Sequence, residues 1–588
     1  MTSPARWLPS RRRRRIAAGL GAVAVGVAVA AAAPATAATT SRAGAHGAGP
    51  ARRVVVIDLD NTHLSDMMAM PAVRAWFGQG TLMANDHTDL VPYTHPDYVN
   101  EVTGLYDSQT GIMSNYQYDG GQGLSFSYWL DKLGNGAPSH LSAPPWQWWN
   151  AQGDSVGAVG WADIELESAS EVPHYVSVGS GYTAASYLGF AVHQANGQTV
   201  FGTPGDPAVM KAPLLADPSQ TVGVHSGGWD ANFGPDRSLT AAAALLNQGV
   251  QVVYDYIRSA HNSPATGANM APGTAAYQAN LAHYNQSFAA FFADLKAHGM
   301  TPANTLVVLT SDEGDHYNPD GELETSAPAW FTKAGLPTSK LTIDGSAANL
   351  VYWPDGTNVP LQNLSQMPGW EYLVWGPALS AIHVATSVRA DNPQLIQFAK
   401  PTYYYEYTGT STAVTTNPAE LWNHGMPSPD VTSLWASFVG PGVPAGRTSQ
   451  QWADSAGLLP TIQLLTTGRI EPGLDGVAMN SAVTGPAGRL AALTSVYEAL
   501  NAPDGAFGQA ALKISTTAAL DTKSRTALMD GLAALVSQRA PVAAALHHLI
   551  VTADQGGSVQ AGQAAALTAR AYQLLAAVQR LTRQATAG

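Results

Sequence analysis

Short β-branched runs alternate along the chain with stretches of helical periodicity. The runs Val54–Asp60, Val250–Ile257, Thr305–Thr310 and Leu434–Val439 are apolar almost throughout. That pattern predicts strands buried on both faces rather than a sheet with one wet side. Between them, Met68–Gly80 reads as a helix stopped by glycine, and an Ala/Leu-rich helix begins at Ser238. Tyr277, Leu281, Tyr284, Phe288, Phe292 and Leu295 recur at three- and four-residue spacings, which predicts a helix over Thr274–His298 ended by Gly299. Strand–helix alternation of this kind predicts an α/β domain with helices on both faces of its sheet. From Pro486 the chain changes to Ala, Leu, Gln and Thr at helical period. Arg489–Leu500, Ser524–Arg539, Pro541–Ala553 and Val559–Arg583 read as four helices, with Pro541 at a first helical position. Residues 486–588 are therefore expected to form an all-α bundle.

The N-terminus breaks the alternation. Arg11–Arg15 precede an apolar run from Ile16 to Ala33 and a small-residue site at Ala35-Thr-Ala37. Residues 1–37 read as a secretory signal peptide, and the arginines after Ser10 also suit twin-arginine export. Residues 38–52 read as a flexible lead-in. No other run has the roughly 20 apolar residues of a membrane span. Losing the signal removes six arginines and no acids, making the formal charge of -13 more negative still. An acidic chain disfavours a nucleic-acid duplex or an anionic membrane as its main partner. With no cysteine in 588 residues, disulfides, zinc–thiolate sites and cysteine nucleophiles are excluded. Ser125–Asp154, rich in Trp, Pro and Gly, reads as an irregular cleft wall or lid in which Trp146, Trp148 or Trp149 could stack a base or lipid group.

Chemistry-bearing residues gather where the apolar runs end. Asp58 and Asp60 close the first run; two residues apart, they share a strand face, so periodicity does not choose between them. Thr94 lies in Tyr93-Thr-His-Pro-Asp97, followed by Val102-Thr-Gly-Leu-Tyr106 and Gly111-Ile-Met-Ser-Asn115. His261-Asn262 follows the second run, and Asp312-Glu-Gly-Asp-His316 follows the third. His424 sits in Trp422-Asn-His-Gly425. Taken singly, an aspartate after a strand caps a turn, a threonine caps a helix and a lone histidine satisfies a core. Taken together at strand ends, they are where an open α/β sheet builds a site, and they suit divalent cations.

The order of these motifs over residues 53–480 resembles the alkaline phosphatase superfamily, in its nucleotide pyrophosphatase/phosphodiesterase branch. The match rests on the Thr-Gly-Leu-Tyr to Asn block and on Asp-Glu-Gly-Asp-His, a form similar to that of a bacterial subgroup. The resemblance implies an alkaline-phosphatase-like catalytic domain, two divalent ions (Zn, Mn, Mg or Ca) and a small-molecule phosphodiester or nucleotide substrate. It favours Asp60 over Asp58 as a metal ligand, makes Thr94 the metal-activated nucleophile, and has Asn115 donate to a phosphate oxygen. Asp312, Glu313, His316, His261 and His424 complete the implied ligand set. Glu313 stands where a histidine is usual, which hardens the site toward Mn, Mg or Ca.

Two departures favour a different reading. Asn262 follows His261 where the resemblance has an aspartate, and Ser455-Ala-Gly457 stands where it has His-Thr-Asp. They support a degenerate, non-catalytic binding protein on the same fold. A phosphonate hydrolase is a further alternative. A sulfatase is disfavoured, because the chain offers Thr94-His-Pro-Asp97 instead of a Cys/Ser-x-Pro-x-Arg context.

Overall fold

The computed structural model describes residues 51, 53–118, 124–126, 146–159, 190–193, 199–202, 207–223, 234–336, 338–353, 360–387, 392–483 and 488–586. The first apolar run is a strand over Arg53–Leu59, lying parallel between Val252–Ile257 and Thr305–Thr310. These three are the centre of a nine-stranded sheet among the described residues. Val156–Val159 extends it in parallel beside Val252–Ile257. Ser433–Val439 joins the other side antiparallel, between Thr305–Thr310 and Thr81–His87.

Alternation within the central strand explains why it reads as continuously apolar. Val55, Ile57 and Leu59 enter one core, with Tyr277, Leu281 and Phe288 of the helix Ala275–Ala297. Val54 and Val56 enter the opposite core, with Tyr98, Val99 and Val102 of the helix Thr94–Thr103. Both faces are covered, and each such side chain stabilises the fold by roughly 1.5–3 kcal/mol on burial. The helix at Ala275 starts as its sequence predicts: the Thr274 side chain accepts from the Tyr277 backbone N–H. Its buried stripe passes through Phe291, while half-buried Phe292 stacks on Trp76 with ring centroids 4.1 Å apart. The helix expected over Met68–Gly80 is two short helices, Leu64–Ala69 and Pro71–Phe77, because Pro71 starts a new first turn.

A four-stranded antiparallel sheet runs in the order Thr342–Asp344, Ala348–Tyr352, Leu395–Ala399, Trp370–Trp375. It shares a core with the C-terminal helices Gly488–Asn501, Ala506–Leu520, Arg525–Asp554 and Ala561–Thr586. Arg539 donates to the carbonyls of Ala381 and Ser380 at 2.6 and 2.9 Å, and Trp375 Nε1 donates to Ser515 O at 3.0 Å.

Two expectations for this region fail. Pro541 does not separate two helices; it lies inside Arg525–Asp554, where Leu528 and Leu532 before it and Leu546 and Ile550 after it enter one core. Packing on both sides outweighs the single backbone hydrogen bond that proline removes. The helix Ala506–Leu520 was hidden by Gly508 and the Thr516–Thr517 pair, all poor helix formers. Gly508 is required there, since a Cβ would fall 1.9 Å from Pro503 O. No helix among the described residues is long and apolar enough to cross a membrane.

Candidate active site

The three central parallel strands end together, so their following residues converge. Ser259 N donates to Asp60 Oδ2 at 3.0 Å, and Asn61 N donates to Asp312 Oδ1 at 3.2 Å. Thr62 N donates to Ser311 Oγ at 3.0 Å. These bonds stitch the ends of Arg53–Leu59, Val252–Ile257 and Thr305–Thr310 into one floor.

Asp60, Asp312 and Glu313 lie on that floor, all buried, with carboxylate oxygens within 4.8 Å of one another. Thr94 opens the helix Thr94–Thr103, and its Oγ1 donates to Glu313 Oε1 at 3.1 Å. Asn115 Oδ1 accepts from His95 N at 2.9 Å, which leaves the donor end of the amide for a ligand. A helix start beside such a donor favours an anion. Burial, then the charges of Asp312 and Asp315, push Asp60 up to about 7. Burial and Asp312 likewise raise Glu313 well above the usual carboxylate range. Three crowded carboxylates in a buried place are the donor set of a hard divalent cation, so the residues fit the ion the sequence implies.

Beside this group lies a second one, in which acids alternate with histidines. His261 Nδ1 meets Asp315 Oδ2 at 2.9 Å, and its Nε2 meets Asp66 Oδ2 at 3.3 Å. His424 Nδ1 meets Asp315 Oδ1 at 2.9 Å, and its Nε2 lies 3.7 Å from Glu313 Oε1, linking the two groups. Burial opposes charge on His261, but the bonds to Asp315 and Asp66 outweigh it and push His261 up to about 9. Burial would raise Asp315; its bonds to His261 and His424 hold it well below the usual range instead. His63, Asp66 and His261 also offer three convergent ligand atoms. His261 is fixed by stacking on Trp422, with centroids 3.9 Å apart.

His316 takes a different place from the rest of the expected set. Its Nδ1 meets Asp430 Oδ2 at 2.5 Å, and it belongs to neither convergent group. Asp315 and Asp66, which sequence reasoning passed over, stand on either side of His261. Asp315 was available in the same Asp-Glu-Gly-Asp-His motif, where Gly314 is the clue to its direction. A Cβ at Gly314 would fall 2.3 Å from Asp430 O, so only glycine lets this turn close. Asp58, two residues before Asp60 at the end of the same strand, is pushed well above the usual carboxylate range by burial and then by Asp312 and Asp60. Asn262 turns away: its Nδ2 donates to Gly267 O at 3.1 Å, a loop bond. Ser455–Gly457 forms a short 3-10 turn packed against the helix Thr94–Thr103. Trp149 is core, donating to Tyr254 Oη at 3.0 Å, and Trp148 is half-buried. The Trp146 side chain and the rest of the expected lid, except residues 125–126 and 146–154, lie outside the described residues.

A cavity of about 750 Å³ opens beside Asn115 and His424. Its wall includes the three-stranded sheet of Glu322–Ser326, Tyr403–Glu406 and Thr415–Asn417. Burial, then Glu420, push Glu322 up to about 8.

A sheet of this kind with its site at the carboxyl ends of the central strands is an alkaline-phosphatase-like α/β fold. The chain belongs to the type I phosphodiesterase / nucleotide pyrophosphatase family, whose model matches residues 54–358, more than half of its length. Among solved structures, human ectonucleotide pyrophosphatase/phosphodiesterase 5 matches at 13% identity and a TM-score of 0.49, covering 74% of this chain and 97% of that one. An inactive form of the murine counterpart in complex with AMP matches at 13% identity and a TM-score of 0.46, with the same coverage. No curated protein matches the sequence. Family membership supports phosphoester hydrolysis as the chemistry.

Proposed function

We propose that the chain is an exported, metal-dependent phosphodiesterase that works through a phospho-threonine at Thr94. The observation that carries this is the Thr94 hydroxyl, held at the start of a helix and 3.1 Å from Glu313 within the Asp60–Asp312–Glu313 group. Asp60, Thr94, Asp312 and Glu313 would hold one divalent ion, and His261, Asp315 and His424 a second. Such ions lower the pKa of a bound hydroxyl and neutralise charge on phosphoryl oxygens.

The residues supply the rest. Thr94 Oγ1 attacks phosphorus as its proton moves along the bond to Glu313; the P–O bond to the leaving group breaks on the opposite side, and the alkoxide takes a proton from water to leave as the alcohol. Asn115 and the first turn of the helix hold the non-bridging oxygens, where charge grows in the transition state. Water then cleaves the Thr94 phosphoester. Against a degenerate site stands the Asp60–Asp312–Glu313 group gathered beside Thr94. Arg11–Arg15 and the apolar run after them support export.

The test joins elemental analysis of the purified protein with hydrolysis of bis(4-nitrophenyl) phosphate under added Zn, Mn, Mg or Ca. About two ions per chain with turnover supports the reading. No turnover under any of the four metals refutes it.

A further inference from the structure

Asp312 accepts more hydrogen bonds than either carboxylate beside it. Its Oδ1 accepts from Asn61 N at 3.2 Å and from Glu313 N at 2.9 Å, and its Oδ2 accepts from the Tyr256 phenol at 2.7 Å. Asp60 accepts from Ser259 N at Oδ2. Glu313 accepts from Thr94 at Oε1, and its Oε2 has no hydrogen-bond partner. A carboxylate offers about four lone-pair positions. The bonds from Asn61, Glu313 and Tyr256 leave Asp312 a single open position, on Oδ2.

The sheet explains why a tyrosine reaches this aspartate. In the parallel register Tyr256 pairs with Asp58, and Asp58 pairs with Thr310 on its other side. These residues share one face of the sheet, and Asp312 stands just beyond Thr310. The phenol therefore reaches Asp312 across the central strand. Its ring is buried and stands edge-on to Tyr98, with centroids 5.7 Å apart. Tyr98 belongs to the helix Thr94–Thr103, so one packing contact ties the phenol to the helix that opens with Thr94.

Open lone pairs decide coordination. Calcium takes about six to eight oxygens in flexible geometry and readily uses both oxygens of one carboxylate. Magnesium demands a near-ideal octahedron, and manganese suits the same oxygen set. An aspartate with one open position gives one ligand atom. Stripped of the phenol, it is free to turn and offer both oxygens. Hydrogen-bond partners of ligating side chains tune a metal site in this way.

Resting on the metal-dependent reading of this site, we infer that Tyr256 is a positioning residue that holds Asp312 to one ligand atom and so selects an octahedral magnesium or manganese ion over calcium.

The full-length protein, freed of metal, is titrated with manganese and with calcium by calorimetry. The binding event that Glu313→Gln weakens belongs to the carboxylate group, and its Kd is the one compared. The wild type should bind manganese at least about tenfold more tightly than calcium. Tyr256→Phe keeps the ring against Tyr98 and removes only the hydroxyl. It should raise the manganese Kd about tenfold and change the calcium Kd by less than about twofold, so that most of the preference is lost. Tyr254→Phe is the matched control. Two residues back on the same strand face, it strips a buried hydroxyl that accepts from Trp149 Nε1 at 3.0 Å and leaves Asp312 its phenol. It should leave both constants unchanged. Tyr256→Phe raising both constants alike, or changing neither, would overturn the inference, as would the same loss of preference in Tyr254→Phe. A wild type that prefers calcium would overturn it too. Diester turnover with added metal beside any of these results leaves the metal-dependent reading standing. A wild type that binds neither ion sinks both.

Discussion

Two sets of buried carboxylates share this site and are held in opposite ways. Asp66 and Asp315 each meet a histidine, and their acidity is strengthened by it. Asp60, Asp312 and Glu313 crowd one another and accept only from backbone N–H and hydroxyl groups among the described residues, and each is pushed toward its protonated form. With no ion bound, the first set supplies its own positive charge through its histidines. The second has no histidine within hydrogen-bond distance among the described residues, and it is the second that receives the Thr94 hydroxyl. On the proposed reading the two sets therefore differ in what an ion changes: the paired set gives up its histidine protons to take one, and the unpaired set gains its first positive charge from one.

The strongest way to break this division is at Thr94. Thr94→Ala should reduce diester turnover by at least about a thousandfold, with the thermal unfolding curve unchanged. Turnover within tenfold of the wild type would move the nucleophile elsewhere.

The two sets should also answer amide substitution with opposite signs in chelator-treated protein. Asp315→Asn leaves His261 and His424 without their shared acceptor, which should cost about 3–5 kcal/mol of stability. Glu313→Gln removes one of three crowded acids and should raise Tm in the same buffer while weakening metal uptake. Equal destabilisation by both variants, read by calorimetry, would show that the sets are not different in kind. Metal removal itself comes next in size. At a hundredfold excess over Kd, a bound ion stabilises by about 2.7 kcal/mol, so chelation should lower Tm and the cognate ion restore it. A Tm indifferent to chelation and to all four metals would remove the cation from the unpaired set.

The sequence made the floor of this site legible and its walls less so. The apolar runs at Val54, Val250 and Thr305 marked parallel strands because burial on both faces leaves few polar positions inside them. Their ends then offered Asp58 or Asp60, His261, Asp312 and Glu313, and the family resemblance chose Asp60. What followed each end depended on tight turns whose direction is set by tertiary contacts. Gly314 turns Asp315 toward His261 and leaves His316 to Asp430, and no periodicity distinguishes those two neighbours. Asp66 was equally hidden, since its partner is 195 residues away. Pro541 was misread for the reverse reason: a strong local signal was overruled by a shared core.

The finest test asks whether an unpaired buried carboxylate away from the site behaves like those within it. Asp255 lies in the central strand Val252–Ile257 and accepts from the Ser238 hydroxyl. Burial pushes it up to about 7. Its folded value exceeds the unfolded one, so its contribution to stability is full below about 4 and is lost as pH rises toward 7. Between pH 5 and 7 that loss should reach about 2 kcal/mol. Asp255→Asn keeps the shape and removes the titration, so its stability should fall less than the wild type's over that interval, by about the same amount. Parallel pH profiles for the two proteins, from urea unfolding in chelator, would mean that Asp255 is ionised as folded. In that case burial alone does not hold a carboxylate neutral in this sheet, and the protonated character of Asp60 and Glu313 would have to come from their mutual repulsion.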